Sequence, residues 1–215
     1  MKSVLVIGLG RFGKYLSIAL KDQGCEIMGV DISEERLEES MDYVTQGIIG
    51  NSTNLTFLKS LGVRNYDVCY VTISSNFQMS LETTSLLSEL GAKKIIARAA
   101  EDVQAKFLLK NGADHVVYPE REMGRWAAIR YTSENVLDYI EIDPQASIIE
   151  IKVPGKWADK ALEDLDIRQK YNLNIVGIRK KGTLVYFVSP DTIFGKDDSI
   201  LVLGSMETLK KCFKI

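Results

Sequence analysis

Six residues near the start of the chain constrain its fold more than any others. Gly8-Leu9-Gly10-Arg11-Phe12-Gly13 is a G-x-G-x-x-G sequence. It follows the apolar run Ser3-Val4-Leu5-Val6-Ile7 and opens a segment of helical spacing, with Phe12, Tyr15, Leu16, Ala19 and Leu20 on one face. Alone the glycine pattern is weak; between a strand and a helix it becomes meaningful. Gly8 permits the tight turn, Gly10 lets backbone approach a diphosphate, and Gly13 allows close helix–strand packing. The helix start then offers unpaired N–H groups and a positive dipole end to phosphate. Asp31 ends the next apolar run, 18 residues after Gly13. A carboxylate there accepts hydrogen bonds from both ribose hydroxyls and repels a 2′-phosphate. The expected ligand is an adenosine-type nucleotide with a free 2′-hydroxyl; the plain alternative is a tight turn with no ligand.

Three further positions extend the candidate site. Arg11 lies inside the glycine loop, where a guanidinium forms a two-pronged contact with phosphate. A terminal phosphate needs such a cation more than the internal diphosphate of NAD does. Arg98 ends the fifth strand-like run and is either a second phosphate cation or a solvent-exposed rim residue. Asn51 and Ser52 end the third, near where adenine lies in such folds, although short polar residues suit any turn.

The rest of the first 118 residues repeats the same alternation. Strand-length apolar runs fall at 4–7, 27–30, 47–49, 68–73, 94–97 and 115–118, with helical spacing between them. Apolar strands alternating with helices predict a parallel sheet covered on both faces, an α/β, Rossmann-like doubly wound fold. Gly24, Gly62 and Gly91 stand where helices stop, and Ser33-Glu34-Glu35 reads as a helix start. From 120 to about 138 the pattern predicts one long crossover helix, with Met123, Trp126, Ala127, Arg130 and Tyr131 on a shared face. Beyond Asp143-Pro144 the texture changes to strands at 147–153, 174–179, 184–189 and 200–203, with short helices near 160–171 and 206–213. The domains expected are a nucleotide-binding unit at 1–136 and a small α+β unit at 137–215.

Composition narrows the function. With 27 basic and 29 acidic residues well mixed, no broad nucleic-acid or anionic-membrane surface is expected. Cys25, Cys69 and Cys212 are too sparse for a disulfide framework and fit a reducing cytoplasm. No run approaches the ~18–20 apolar residues of a membrane span, and the start has no signal-peptide pattern. Action on membrane transport would therefore require docking to another chain. A dehydrogenase of this fold needs a substrate domain with an acid–base residue. The only histidine, His115, opens the sixth strand-like run and reads as structural. No catalytic residue, metal-ligand spacing or Walker loop is found, so the chain is expected not to be an enzyme. A small NAD-dependent oxidoreductase remains the first alternative, and a regulatory subunit of another cation transporter the second.

Taken together, Val6-Ile-Gly-Leu-Gly-Arg-Phe-Gly13, Val30-Asp31, Ala113-Asp114, Pro119-Glu-Arg-Glu-Met-Gly124 and Glu134-Asn-Val-Leu-Asp-Tyr-Ile140 resemble the RCK proteins that regulate potassium transport. The tail, with Leu165-Asp-Ile-Arg-Gln-Lys-Tyr171, Asn174-Ile-Val-Gly-Ile178 and Ser189-Pro190, resembles their C-terminal domain. The likeness is greatest to the regulatory subunits of bacterial Ktr-type uptake systems. It implies ATP or ADP, and often NAD or NADH, in the N-terminal domain, with Arg11 at the terminal phosphate and Asp31 at the ribose. It implies that Glu120 helps hold a divalent cation, magnesium or calcium, between paired subunits; a helix-start acid is the plain alternative. Cyclic di-AMP is implied at a C-terminal dimer interface, on Ile167, Arg168, Asn174, Ile175 and Pro190. Dimers joined into an octameric ring, beneath an integral-membrane potassium channel subunit of the KtrB type, are implied as the assembly. The location implied is cytoplasmic, peripheral on the membrane through that partner. Two departures stand out: Arg98 replaces a common lysine, and Ser52-Thr53-Asn54 replaces an acid-containing turn.

Overall fold

A computed structural model describes all residues, 1–215. The chain divides into two compact units, Met1–Arg121 and Glu122–Ile215.

The first unit holds six parallel strands: β1 Ser3–Ile7, β2 Glu26–Asp31, β3 Gln46–Ile49, β4 Val68–Val71, β5 Ile95–Arg98 and β6 His115–Val117. The helices between them are α1 Arg11–Asp22, α2 Glu34–Ser40, α3 Leu55–Ser60, α4 Phe77–Glu89 and α5 Asp102–Lys110. The strands lie in the order β3-β2-β1-β4-β5-β6, the doubly wound arrangement. Strand β1 shows why its whole run is apolar. Leu5 and Ile7 join one buried cluster with Val71, Leu87 and Leu108, while Val4 and Val6 join another with Ile27, Leu37 and Val44. Both faces are covered over Val4–Ile7, and all four of those residues are apolar. Ser33 caps α2 by accepting the Arg36 amide at 3.3 Å, as the sequence predicts. Strand β4 stops at Val71 rather than continuing to 73, because Thr72 turns back toward the glycine loop. Its hydroxyl donates to Ile7 O at 3.0 Å and Gly8 O at 2.5 Å.

The division between units falls inside α6 Pro119–Thr132, earlier than the boundary expected at 136. The second unit then contains β7 Val136–Asp143, β8 Ala146–Lys152, α7 Leu162–Leu165, α8 Ile167–Tyr171, β9 Asn174–Lys180, β10 Thr183–Val185, β11 Ser199–Gly204 and α9 Met206–Phe213. Its antiparallel sheet has the order β10-β9-β11-β8-β7. Val136, Tyr139, Ile149, Ile151, Trp157, Phe194 and Leu209 form its core.

Two expectations need correction here. The long helix does not reach 138: α6 ends at Thr132 and Val136–Asp143 is a strand paired with β8. The register shifts between Val136 and Asp138 and again between Glu141 and Asp143. Such bulges break the two-residue alternation that marks a strand in sequence. The shared face on α6 is also divided. Trp126 packs against the core of the second unit, and its indole donates to Asp138 at 3.1 Å, while Met123 and Tyr131 stay exposed.

Candidate functional site

The site begins with the turn between β1 and α1. Gly8 has φ +99°, and a Cβ there would meet the Ile73 nitrogen at 3.0 Å. A Cβ on Gly13 would stand 2.0 Å from the Gly8 carbonyl oxygen, so helix and turn approach as only glycine allows. Gly10 is different. Nothing lies within 4 Å of where its Cβ would be, so packing within the chain does not demand glycine at this position. Its open side faces a hollow of about 270 Å³ lined by Gly8, Gly10, Arg11, Asp31, Ser52 and Thr72, among others. This hollow lies at the C-terminal ends of β1 and β4, the switch point where doubly wound folds take ligands.

Asp31 has a structural duty as well as a place in the hollow. Its carboxylate is nearly buried; one oxygen accepts the Leu9 amide at 2.7 Å and the other the Ser33 amide at 2.9 Å. It therefore ties the glycine turn to the start of α2. The Arg36 guanidinium lies 3.8 Å from the same carboxylate and also lines the hollow. Arg11, exposed at the first position of α1, carries its cation to the rim.

Other predicted residues are placed elsewhere. Phe12 does not line the hollow, and Asn51 uses its side-chain oxygen to accept the Thr53 amide and hydroxyl, at 3.0 and 2.8 Å. Ser52 reaches the hollow, but its hydroxyl is bonded to Thr83 at 2.7 Å. Arg98 is mostly buried and pairs with Glu120 at 2.5 Å, outside the hollow's lining. Its Nε is buried without a hydrogen-bond partner. Glu120 is held below the usual carboxylate range, first by that hydrogen bond from Arg98, and also by the Arg98 and Arg11 charges. No group of three or more His, Cys, Asp or Glu side chains is placed to hold a metal ion, so within one chain Glu120 does not make a metal site. His115 opens β6 and is exposed, at the opposite strand end from the hollow. Burial pushes the Cys69 thiol up to about 12, which leaves it no thiolate chemistry near neutral pH.

Residues after β4 were missed in sequence: Thr72, Ile73, Ser74, Ser75 and Met79 all line the hollow. The signal was available, because a short polar segment after the strand beside β1 borders the switch point by topology.

A second hollow, about 520 Å³, lies in the C-terminal unit. The five residues singled out there, Ile167, Arg168, Asn174, Ile175 and Pro190, all line it. Arg168 Nε donates to Asn174 Oδ1 at 2.9 Å, which orients both side chains. Ile167 is buried and belongs to the core as much as to the hollow.

Strand order and the place of the first hollow define the class of protein: a doubly wound nucleotide-binding fold followed by a small antiparallel domain. Comparison with known families sharpens this. Residues 4–119 match the TrkA-N domain and residues 147–215 the TrkA-C domain. The chain is 40% identical over 210 residues to the Ktr system potassium uptake protein C of Bacillus subtilis, covering 98% of this chain and 95% of that protein. The chain therefore belongs to the TrkA-N/TrkA-C family that includes the Ktr potassium uptake proteins. Among solved structures, the GsuK channel bound to NAD superposes with a TM-score of 0.68 at 22% identity, over 97% of this chain and 38% of that one. GsuK bound to ADP gives 0.55 at 22% identity, over 62% and 35%. At that identity the likeness concerns fold alone, and this chain spans under half the length of those channel chains. No helix of the chain is long and apolar enough to cross a membrane.

Proposed function

We propose that the chain is a nucleotide-responsive regulatory subunit of a potassium uptake channel, acting by binding rather than by turnover. The observation that carries the proposal is Gly10. Glycine stands where nothing within the chain excludes a side chain, on the open side of a hollow at the start of α1. A phosphate drawn against the backbone supplies the missing reason. In this reading ATP and ADP both occupy the turn, Arg11 meets the terminal phosphate that only ATP carries, and the second lone pairs of Asp31 remain for ribose hydroxyls. NAD or NADH shares the adenosine half and would use the same turn. A small-molecule signal shifts a channel only through different affinities for its states. Two nucleotides differing by one phosphate, read by one arginine, supply such a difference.

The wider assembly belongs to the same proposal. The channel is an integral-membrane partner, and the chain docks to its cytoplasmic side as a dimer or a multiple of dimers, up to an octameric ring. Its relatives carry the name potassium uptake protein, which favours this partner over other cation transporters. The C-terminal hollow would take cyclic di-AMP across a two-fold axis, where each subunit offers the same residues once: Arg168 to a phosphate, Asn174 to a base edge, and Ile175 and Pro190 to the purine. For magnesium or calcium this chain offers Glu120 alone, already paired with Arg98. Nucleotide phosphates and a second subunit would have to complete that set.

The test is titration calorimetry with ATP and ADP on the wild type and on Arg11→Ala. Hydrogen bonds to charged groups are worth ~1.5–3 kcal/mol, so ATP affinity should fall roughly tenfold or more. ADP should lose less; equal losses would remove Arg11 from the terminal phosphate.

A further inference from the structure

A third hollow has no place in the account above. It measures about 550 Å³ and lies in the C-terminal unit. Its wall carries Lys156, Lys170, Lys211 and Lys214, with Glu207 the only acid. These lysines come from three places: the loop after β8, α8, and the end of α9 with the residue that closes it. Lys170 pairs with Asp166 at 3.2 Å, Lys156 Nζ stands 5.8 Å from the Trp157 ring centroid, and Lys156, Lys211 and Lys214 form no ion pair. Half-buried Tyr171 lines the same hollow, and Lys156 Nζ stands 5.1 Å from its ring centroid. The Lys156 charge also reaches half-buried Cys212, opposing the upward push of burial on that thiol.

The four side chains are exposed, yet they gather positive charge on one concave surface of a chain whose net charge is -2. Like charges converging on a concave surface repel one another, and low-dielectric walls strengthen the field between them. The helix dipole accounts for cations in the last turn of α9. The last turn of α8 and Asp166 account likewise for Lys170, but neither dipole accounts for Lys156, which comes to the same hollow from the loop after β8. A lysine ammonium is a compact point charge with three donors, suited to phosphate oxygens without fixed geometry. An aromatic wall adds apolar surface beside the charge.

We propose that this lysine-lined hollow is a binding site for a phosphate-bearing anion, distinct from the glycine-turn hollow and from the hollow at Arg168. The shared chemistry is a phosphate ester or anhydride, whether free in solution or on a lipid headgroup. The proposal does not rest on the nucleotide reading.

The experiment uses the full chain carrying Arg11→Ala, which weakens phosphate binding at the glycine turn. One arm titrates tripolyphosphate by calorimetry; the other sediments the protein with phosphatidylglycerol or phosphatidylcholine vesicles. Each is repeated with Lys156→Glu and Lys211→Glu added together, and with Lys196→Glu, an exposed lysine outside the hollow. The double reversal should weaken binding roughly tenfold or more, Lys196→Glu should leave it unchanged, and binding should fall as salt is raised. Loss in the first arm identifies a free anion; loss in the vesicle arm, specific to phosphatidylglycerol, identifies a headgroup. Thermal melts check folding, and the pair Lys156→Gln and Lys211→Gln decides if the double reversal does not fold. The proposal is overturned if neither probe binds, if binding survives the double substitution, or if Lys196→Glu weakens it equally.

Discussion

The two hollows that carry the proposed function are built from different materials. In the N-terminal unit the hollow is built around a backbone turn: the glycine loop, a helix start and the ends of β1 and β4, with side chains such as Arg11, Asp31 and Arg36 around it. In the C-terminal unit they are side chains on two very short helices, α7 and α8, and on the strand that follows. Asp166, between those helices, and Asn172, after them, both hold positive φ, at 48° and 52°. A backbone site demands glycine at fixed spacing, so it tolerates almost no substitution at those points. A side-chain site trades that rigidity for identity, and its specificity rests on which residues stand at Arg168 and Asn174.

That contrast breaks most readily at Gly13. Gly13→Ala forces a Cβ to within 2.0 Å of the Gly8 oxygen, and overpacking of this kind costs about 3 kcal/mol. Chemical denaturation should show that loss in the N-terminal unit, with nucleotide binding lost and the C-terminal hollow still functional. A fully stable Gly13→Ala that binds ATP would mean the turn is not built as described.

The converse change is Arg168→Ala. It should weaken cyclic di-AMP roughly tenfold or more by calorimetry, since a charged hydrogen-bonding partner is removed, and leave ATP binding and the melting temperature of the N-terminal unit unchanged. Unaltered cyclic di-AMP affinity would remove Arg168 from that hollow's function.

A smaller effect separates the units by acid. Glu150 is largely buried, takes two hydrogen bonds from Arg179 at 2.7 and 2.9 Å and one from Ser199 at 2.5 Å, and its carboxyl is held below the usual range chiefly by Arg179. A carboxyl depressed in the folded state adds stability above its unfolded value, 4.5, and loses it as pH falls through the lower folded value. Glu150→Gln should therefore destabilise the C-terminal unit by about 1 kcal/mol at pH 7, with the gap closing as pH falls through the carboxyl's depressed folded value. An unchanged gap at low pH would show that the charge is not what matters.

The same contrast explains what could be read in the sequence. The parallel sheet was legible because strands such as β1 are buried on both faces and leave unbroken apolar runs. The glycine turn was legible because Gly8 and Gly13 answer to steric limits that no other residue meets. The duty of Asp31 toward the Leu9 and Ser33 amides was not, since a carboxylate serving backbone looks the same in sequence as one serving ribose. Nor was the pairing of Arg98 with Glu120, which joins residues far apart in the chain. The start of β7, residues 136–138, fits the helical pattern and the rest shows no strand alternation, because the bulges scramble it. The residues of the second hollow have suitable chemistry but no spacing pattern of their own, and they are reached mostly through the resemblance to RCK proteins.

The central claim is that the glycine turn exists for a ligand as well as for the fold, and Gly10 tests it most directly. Its Cβ would meet nothing within the chain, so Gly10→Ala should cost no more than ~1 kcal/mol, the loss expected when alanine replaces glycine at the N-cap of α1. ATP titration of the same protein should nevertheless show affinity reduced by roughly tenfold, the equivalent of about one charged hydrogen bond. A stable Gly10→Ala that binds ATP as the wild type does would contradict the account.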